Sequence, residues 1–496
     1  MNRESPIHNF IAGKWVPARS GKTFETRNPA TGHLIAQCAD SNADDMNDAV
    51  LAAREAFESW HRLPAPRRGE ILYRVAERLF HEKEPLARAL TSEMGKVLME
   101  GRGDIQEAID MAYYMAGEGR RQFGHIAPSE LPNKSAYAIR EPLGVVGLIT
   151  PWNFPMAIPA WKSFPALIMG NTVVLKPSPE TPYTAALFVK ALEEAGMPPG
   201  VVNLVMGSAP ELGATLVTHP DVALISFTGS KATGGKVAVD AATHYKRVAL
   251  EMGGKNAIIV MEDADLELAV EGILWSAFGT TGQRCTACSR LIVHTAVKDR
   301  MVSMLLERTA KLQVGDGLDP SIDVGPLINR TQLDRVHELV QVGVQEGAQL
   351  RIGGHPLTDG PYAAGYFFAP TLFDHVTPTM RIATEEIFGP VLSVLEVNSL
   401  EEAIEVNNSV EYGLSSSLYT QDINRAQHAM RELRSGIVYI NAGTIGSEVH
   451  LPFGGIKDTG NGHREAGQAA LDTFSEWKSI YVDYSGRLQR AQIDTN

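Results

Sequence analysis

The residues best suited to chemistry lie in Phe278-Gly-Thr-Thr-Gly-Gln-Arg-Cys-Thr-Ala-Cys-Ser-Arg290, where Cys285 stands in a Gly- and Thr-rich turn beside Arg284. A thiol becomes a nucleophile when a cation or helix N-terminus lowers its pKa, or when a base takes its proton. A lone cysteine is more often a small core residue, so this peptide alone does not establish catalysis. A zinc site at Cys285-x-x-Cys288 is weaker, because four-ligand sites draw on a second pair and the remaining cysteine is Cys38. No metal is expected. In Val248-Ala-Leu-Glu-Met-Gly-Gly-Lys-Asn256, Glu251 follows an apolar run and precedes two glycines. A carboxylate at such a strand end, facing a crevice, can have a raised pKa and act as a general base; in solvent it is an ordinary turn residue. Thr150-Pro-Trp-Asn-Phe-Pro155 presents Asn153, whose amide either donates to a developing oxyanion or caps the turn.

Two more segments suit a nucleotide. Lys176-Pro-Ser offers a lysine to a ribose hydroxyl or a phosphate, and Phe227-Thr-Gly-Ser-Lys-Ala-Thr-Gly234 carries Gly229, Ser230 and Gly234 into a helix. Its glycines permit close backbone approach, and a helix N-terminus favours pyrophosphate, although the spacing is not G-x-G-x-x-G.

The elements that must hold these residues are short apolar runs punctuated by Gly and Pro. Strands are expected at Val145–Thr150, Thr172–Leu175, Val201–Val205, Leu224–Phe227 and Ala257–Val260, with helices such as Thr184–Ala195 between them. That alternation predicts βαβ units and a doubly wound parallel sheet. Ligands of such sheets bind beyond the strands' carboxyl ends, where Asn153, Lys176, Gly229 and Glu251 would all lie. A second α/β pattern follows residue 265, with runs at Leu291–His294, Val391–Leu395 and Ile437–Ile440. The first third reads as helical: Met46, Val50, Ala53, Phe57 and Trp60 form one stripe, and Ile71, Leu72, Val75, Leu79 and Phe80 a second.

Composition narrows the partners. With 496 residues the chain has room for about three domains. It carries 45 Lys plus Arg against 58 Asp plus Glu, a net charge of −13, which disfavours nucleic acid. Three cysteines do not make a disulfide framework. The N-terminal residues show no basic segment followed by an apolar one, so the cytoplasm is the expected compartment. Pro142–Trp161 runs without a charge, but four prolines within it argue against a membrane span.

Together these segments resemble the aldehyde dehydrogenase superfamily. The motifs run in family order along nearly the whole chain: Asn28-Pro-Ala-Thr-Gly32, Pro-Trp-Asn-Phe-Pro, Lys-Pro-Ser, Phe-Thr-Gly-Ser, Glu-Met-Gly-Gly-Lys, Gly-Gln-Arg-Cys, Gly325-Pro-Leu-Ile, Glu385-Glu-Ile-Phe-Gly-Pro-Val391 and Pro452-Phe-Gly-Gly-Ile-Lys457. The resemblance implies an α/β fold with a Rossmann-like cofactor domain (1–121 and 142–253), a second α/β catalytic domain (254–466) and a small β oligomerisation element (122–141 and 467–496). It implies NAD(P)-dependent oxidation of an aldehyde. Cys285 would attack the carbonyl, Asn153 and the Cys285 amide would hold the oxyanion, and Glu251 would activate the water that hydrolyses a thioester. Lys176 would bind the adenosine ribose, Ser230, with Gly229 and Gly234, the pyrophosphate, and Glu386 the nicotinamide ribose, with Phe388 and Trp152 alongside. Thr473–Tyr484 looks like the family's intersubunit strand, which with Arg121–Glu141 implies a homodimer or homotetramer.

Some positions depart from the family pattern. Pro179 stands where NAD-preferring members often carry Glu, with Glu180 one step later; NAD is expected, and NADP is possible as well. Trp161 replaces an Arg common in bacterial succinate-semialdehyde enzymes. Counted from Thr459, the segment Thr459-Gly-Asn-Gly-His-Arg-Glu465 is one residue longer than the common Ser-Gly-x-Gly-Arg-Glu form. The substrate pocket is expected to draw on Phe154, Trp161, Arg284, the loop 443–451 with His450, and Phe453. Arg284 and His450 would meet a substrate carboxylate, or Arg284 would point away and pair with an acid. A reversible Cys285–Cys288 disulfide is a further alternative, strained by its short loop. Competing readings are a CoA-acylating semialdehyde dehydrogenase, which commonly lacks the glutamate, and a non-catalytic protein keeping the fold.

Overall fold

The computed structural model describes residues 5–493. The chain opens with two hairpins, β1 (Asn9–Ile11) with β2 (Lys14–Val16) and β3 (Thr23–Arg27) with β4 (Leu34–Ala39). The sequence reading of the first third as helical misses them. Three-residue strands carry no readable period, and the first turn uses Ala12 and Gly13 at positive φ instead of the usual Asn-Gly. The two predicted stripes become α1 (Ala43–Trp60) and α2 (Ala65–His81). Asn42 and Asp45 form a capping box at the start of α1, and Pro66 lies in the first turn of α2, where a missing N–H costs nothing. Helices α3 (Lys83–Met94) and α4 (Leu98–Glu118) follow.

After β5 (His125–Pro128) and β6 (Lys134–Pro142), the chain enters the predicted alternation. It runs through β7 (Val145–Ile149), α5 (Ala157–Met169), β8 (Thr172–Lys176), α6 (Pro182–Glu194), β9 (Val202–Leu204), α7 (Pro210–Thr218), β10 (Val222–Thr228), α8 (Lys231–Ala242) and β11 (Arg247–Glu251). The first sheet has the order β11-β10-β7-β8-β9-β1-β2, its first five strands parallel and the hairpin antiparallel. One hydrophobic cluster joins this sheet to α2–α6 and another to α1, α7 and α8, so the sheet is covered on both faces. The order reverses between β7 and β10, and the carboxyl ends flanking that reversal form the crevice where such sheets bind ligands.

A second unit repeats the plan. It contains β12 (Asn256–Val260), α9 (Leu266–Phe278), β13 (Cys288–His294), α10 (Thr295–Thr309), α11 (Arg330–Gln345) and β14 (Gln349–Ile352). A small ribbon of β15 (Pro356–Leu357) and β16 (Phe367–Phe368) precedes β17 (Thr371–Asp374) and β18 (Val391–Val397). After β19 (Tyr412–Gly413) come β20 (Ser415–Tyr419), β21 (Ile437–Ile440) and β22 (Ile456–Lys457), which pairs with β19. The sheet order is β14-β17-β18-β13-β12-β20-β21, parallel except for β14. Arg290, 2% exposed on β13, donates to the carbonyls of Lys255, Val406 and Asn407. It thereby ties the strand after Cys285 to its neighbours.

The last strand, β23 (Ser475–Asp483), returns to pair antiparallel with β6 along its whole length, and β5 completes a three-stranded sheet. Among the described residues, no helix is long and apolar enough to cross a membrane, and the charge-free stretch at 142–161 is β7 followed by a turn and the start of α5.

Candidate active site

The turn holding Cys285 is built from strained backbone. Thr280 and Thr281 have φ of 52° and 58°, and Gly282 follows at 68°. Left-handed conformations cost energy in non-glycine residues and persist only where surroundings over-determine them. Here the Thr280 amide donates to the Glu100 carboxylate, and the Thr281 hydroxyl donates to the Gly325 carbonyl. Gln283 is fully buried and accepts from the Ile328 amide. Asn256 then donates to the carbonyls of Cys285 and Ala287 at 2.7 and 3.0 Å. The Cys285 backbone is therefore pinned on both sides while its thiol faces a cavity.

Two cavities meet at Cys285. One is walled by Phe154, Ala157, Ile158, Trp161, Arg284, Thr286, Phe453 and the 446–447 segment, with Glu107, Glu251 and Glu465 contributing carboxyl groups. The other is walled by Trp152, Asn153, Gly229, Ser230, Gly253, Gln332, Arg335, Glu386 and Phe388, and it lies over the strand-order reversal.

Asn153 is buried and donates one amide hydrogen to the Gln283 carbonyl at 3.1 Å; its other N–H remains available beside Cys285. Burial and the carboxylates of Glu386, Glu251 and Glu465 push the Cys285 thiol up to about 12. Glu251 is 5% exposed, and among the described residues no side chain hydrogen-bonds either of its carboxylate oxygens. Burial and the neighbouring Glu465 raise it well above the usual carboxylate range, against the opposing pull of Lys162, Arg464 and the Gly455 amide. Glu465 is paired with the fully buried Lys162, which also donates to the Ser226 hydroxyl. Gly454, at φ +148°, leaves room for Glu251: a Cβ there would lie 2.6 Å from the Glu251 Oε1.

The second cavity fits a dinucleotide by its donor set and its narrow backbone. A Cβ at Gly229 would meet the Phe227 ring at 2.5 Å. Ser230 caps α8, its hydroxyl accepting from the Thr233 amide, so the helix presents its first amides to an anion. Glu386 is anchored by the Gly254 amide at 2.9 Å, and burial raises it to about 7. The Trp152 and Phe388 rings meet edge to face, with centroids 5.4 Å apart. Lys176 ends β8 and Gly234 sits in the first turn of α8; both lie outside the walls of the two cavities.

Of the expected substrate residues, Phe154, Trp161, Arg284 and Phe453 line the first cavity, Trp161 and Phe453 meeting edge to face. His450 does not: its neighbour Val449 packs inward against the core, which leaves His450 exposed and paired with Glu448 at 3.2 Å. Arg284 combines both of its expected roles. It lines the cavity while its Nη2 and Nε bond Glu100 and Thr280 at 2.9 Å. Cys288 is 1% exposed on β13, its thiol donating to the Arg290 carbonyl, and it does not line the cavity. Sequence reasoning missed Glu107, a half-buried carboxyl on α4 with no ion pair within 4.0 Å among the described residues, which burial, then Asp104, raise to about 7 against Arg284 and Lys96. It also missed Lys162, Glu465 and Gln332. No local signal marks them, since each gains its meaning from a partner far along the chain. Among the described residues, no cluster of three or more His, Cys, Asp or Glu is arranged to hold a metal ion.

A half-buried cysteine, a buried carboxylate and an amide donor meet at the mouth of a doubly wound sheet, the arrangement of a nucleotide-dependent enzyme. The chain belongs to the aldehyde dehydrogenase family, whose model matches residues 15–480. It is 43% identical to the alpha-ketoglutaric semialdehyde dehydrogenase of Bacillus subtilis, over 97% of this chain and 99% of that one. It is 41% identical to the alpha-ketoglutarate semialdehyde dehydrogenase of Haloferax volcanii, with the same coverage. A crystal structure of betaine aldehyde dehydrogenase from Staphylococcus aureus in complex with NAD+ superposes with a TM-score of 0.95 at 35% identity, covering 97% of this chain and 96% of that one.

Proposed function

We propose that this protein oxidises a carboxylated semialdehyde, of the 2-oxoglutarate semialdehyde type, to the dicarboxylic acid with NAD. The observation that carries the reading is that Cys285 and the unpartnered Glu251 face one cavity. Cys285 attacks the aldehyde carbon, and the free N–H of Asn153 and the Cys285 amide stabilise the oxyanion of the thiohemiacetal. Trp152, Ser230, Glu386 and Phe388, with Lys176, Gly229 and Gly234, hold NAD, which when bound supplies the hydride acceptor. Glu251 then deprotonates a water that attacks the thioester, a role CoA would make unnecessary. Phe154, Trp161 and Phe453 exclude bulk water from the first cavity. NADP is also turned over, because Pro179 places no carboxylate where a 2′-phosphate would be repelled.

The substrate assignment rests on Arg284, the one cation on that cavity's wall among the described residues, and on the names of the two semialdehyde relatives. Its Nη1 makes no hydrogen bond in the described structure and can meet a carboxylate. Arg284→Leu is expected to lower kcat/KM for a carboxylated semialdehyde by about tenfold or more, the scale of a charged hydrogen bond, and to leave a neutral alkanal nearly unchanged. The deciding experiment compares kcat/KM across aliphatic, aromatic and carboxylated aldehydes with NAD and with NADP, adding CoA and looking for an acyl-CoA. Preference for neutral aldehydes would overturn the substrate, and acyl-CoA formation the hydrolytic step.

The same reading divides the chain into a cofactor domain (1–121 and 142–253), a catalytic domain (254–466) and an oligomerisation element (122–141 and 467–496), in a cytoplasmic homodimer or homotetramer. Support comes from the β5–β6–β23 sheet, which leaves Ile126 93%, Tyr481 67% and Trp477 45% exposed, an apolar surface that a partner copy would cover. Sedimentation is expected to give a dimer or tetramer; a monomer at micromolar concentration would contradict it.

A further inference from the structure

The Gly460-Asn461-Gly462 turn that follows Thr459 has a place in the fold. β11 is the outermost strand of the first sheet, so its far edge has no neighbouring strand. Residues 459–461 run along that edge. The Met252 amide donates to the Thr459 carbonyl at 2.7 Å, and Glu251 and Gly460 form an antiparallel bridge. The Asn461 side chain takes the next step outward: its Oδ1 accepts from the Leu250 amide at 3.0 Å and its Nδ2 donates to the Val248 carbonyl at 2.7 Å. A side-chain amide thus supplies the donor and acceptor that a further strand would supply. Gly462, at φ +97°, lets the chain leave immediately afterwards.

The residue this edge delivers is Glu251, whose carboxylate has no side-chain hydrogen-bond partner among the described residues. Its position depends on the backbone beneath it and on the space left by Gly454. Cys285, Asn153 and Glu386 are anchored elsewhere, through Asn256, Gln283 and Gly254.

We propose that Asn461 is a positioning residue for Glu251, clamping the free edge of β11 so that the carboxylate is held at the water it activates. The inference rests on the reading of Glu251 as the deacylation base. It separates the two halves of the reaction: loosening β11 slows thioester hydrolysis and leaves the attack of Cys285 and hydride transfer intact. The bonds from Thr459 to Met252 and Gly253 persist without Asn461, so the strand shifts instead of detaching.

The test is rapid-mixing kinetics on the full-length enzyme with NAD and an aldehyde substrate. Asn461→Ala is expected to keep a burst of NADH at the wild-type rate and to lower the steady-state rate on the order of tenfold, the scale of a displaced catalytic group. Its acid limb in the pH profile of kcat should move to lower pH as Glu251 becomes better solvated. Asn461→Asp, nearly isosteric and keeping the acceptor for Leu250, should fall between it and wild type, and it carries the same test if the alanine variant does not fold. Unchanged hydrolysis, or acylation slowed as much as hydrolysis, overturns the proposal. Glu251→Gln measured alongside distinguishes the two levels: if it slows hydrolysis while both Asn461 variants do not, only the role of Asn461 falls; if it leaves hydrolysis intact, the base assignment falls.

Discussion

Cys285→Ala is expected to abolish aldehyde oxidation, lowering kcat on the order of 10⁴-fold or more, the scale of removing a nucleophile that acts as part of a unit. The side chain is half-buried and its backbone is pinned by Asn256, so the variant should fold and still bind NAD, measured by fluorescence titration. The thiol's chemistry gives a second readout. Burial and three carboxylates push it up to about 12, so little thiolate exists at neutral pH, and the thiolate is the reactive form. Alkylation of the cofactor-free enzyme by iodoacetamide is therefore expected to be slow near neutrality, to accelerate as pH rises, and to stop at one thiol. Cys38 and Cys288 are 0% and 1% exposed, and burial raises both thiols. Measurable turnover by Cys285→Ala, or labelling of Cys288 in its place, would remove Cys285 from the role.

What the sequence disclosed and what it hid follow from how each residue comes to its position. Asn153, Gly229 and Glu251 lie at or just beyond the ends of β7, β10 and β11, so apolar runs that predict strands also place them. The same logic anticipated the doubly wound sheet, because parallel strands buried on both faces read as continuous apolar runs. Lys162 and Glu465 are 303 positions apart and meet only when the loop after Phe453 folds back onto α5. Glu107 occupies one place on a helix whose buried stripe includes Ile105, Ala108 and Ile109, and periodicity gives no reason for a carboxyl there to face a cavity built by another unit. His450 errs the other way: its proximity in sequence to Phe453 suggested the pocket, but a loop's direction is set by tertiary contacts and not by composition. Asn461 carried no signal of its own in the sequence, since its role needs the open edge of β11.

Glu251→Gln is expected to let the enzyme complete one acylation and then stall, with a burst of NADH near one equivalent and a steady state slower by about 10²–10⁴-fold, the usual worth of a general base. Glutamine keeps the shape and cannot accept the water's proton. The environment also dictates the pH response. Burial and Glu465 raise Glu251 well above the ordinary carboxylate value, so the protonated, inactive form persists to higher pH than for a solvated glutamate. Hydrolysis by wild type should therefore rise with pH through that elevated pKa, and the rise should be missing in Glu251→Gln. Stability runs in the opposite direction. Between the unfolded and the folded pKa the native state binds more protons than the unfolded state, so stability attributable to this group is lost as pH rises through that window. Glu251→Gln removes that loss, so its melting temperature should match or exceed that of wild type at alkaline pH. A base that works by being ionised is thus held where ionisation is disfavoured, and its removal should slow hydrolysis without weakening the fold. A variant that both hydrolyses slowly and melts earlier at alkaline pH would mean that Glu251 supports structure, and the base would have to be sought at Glu465.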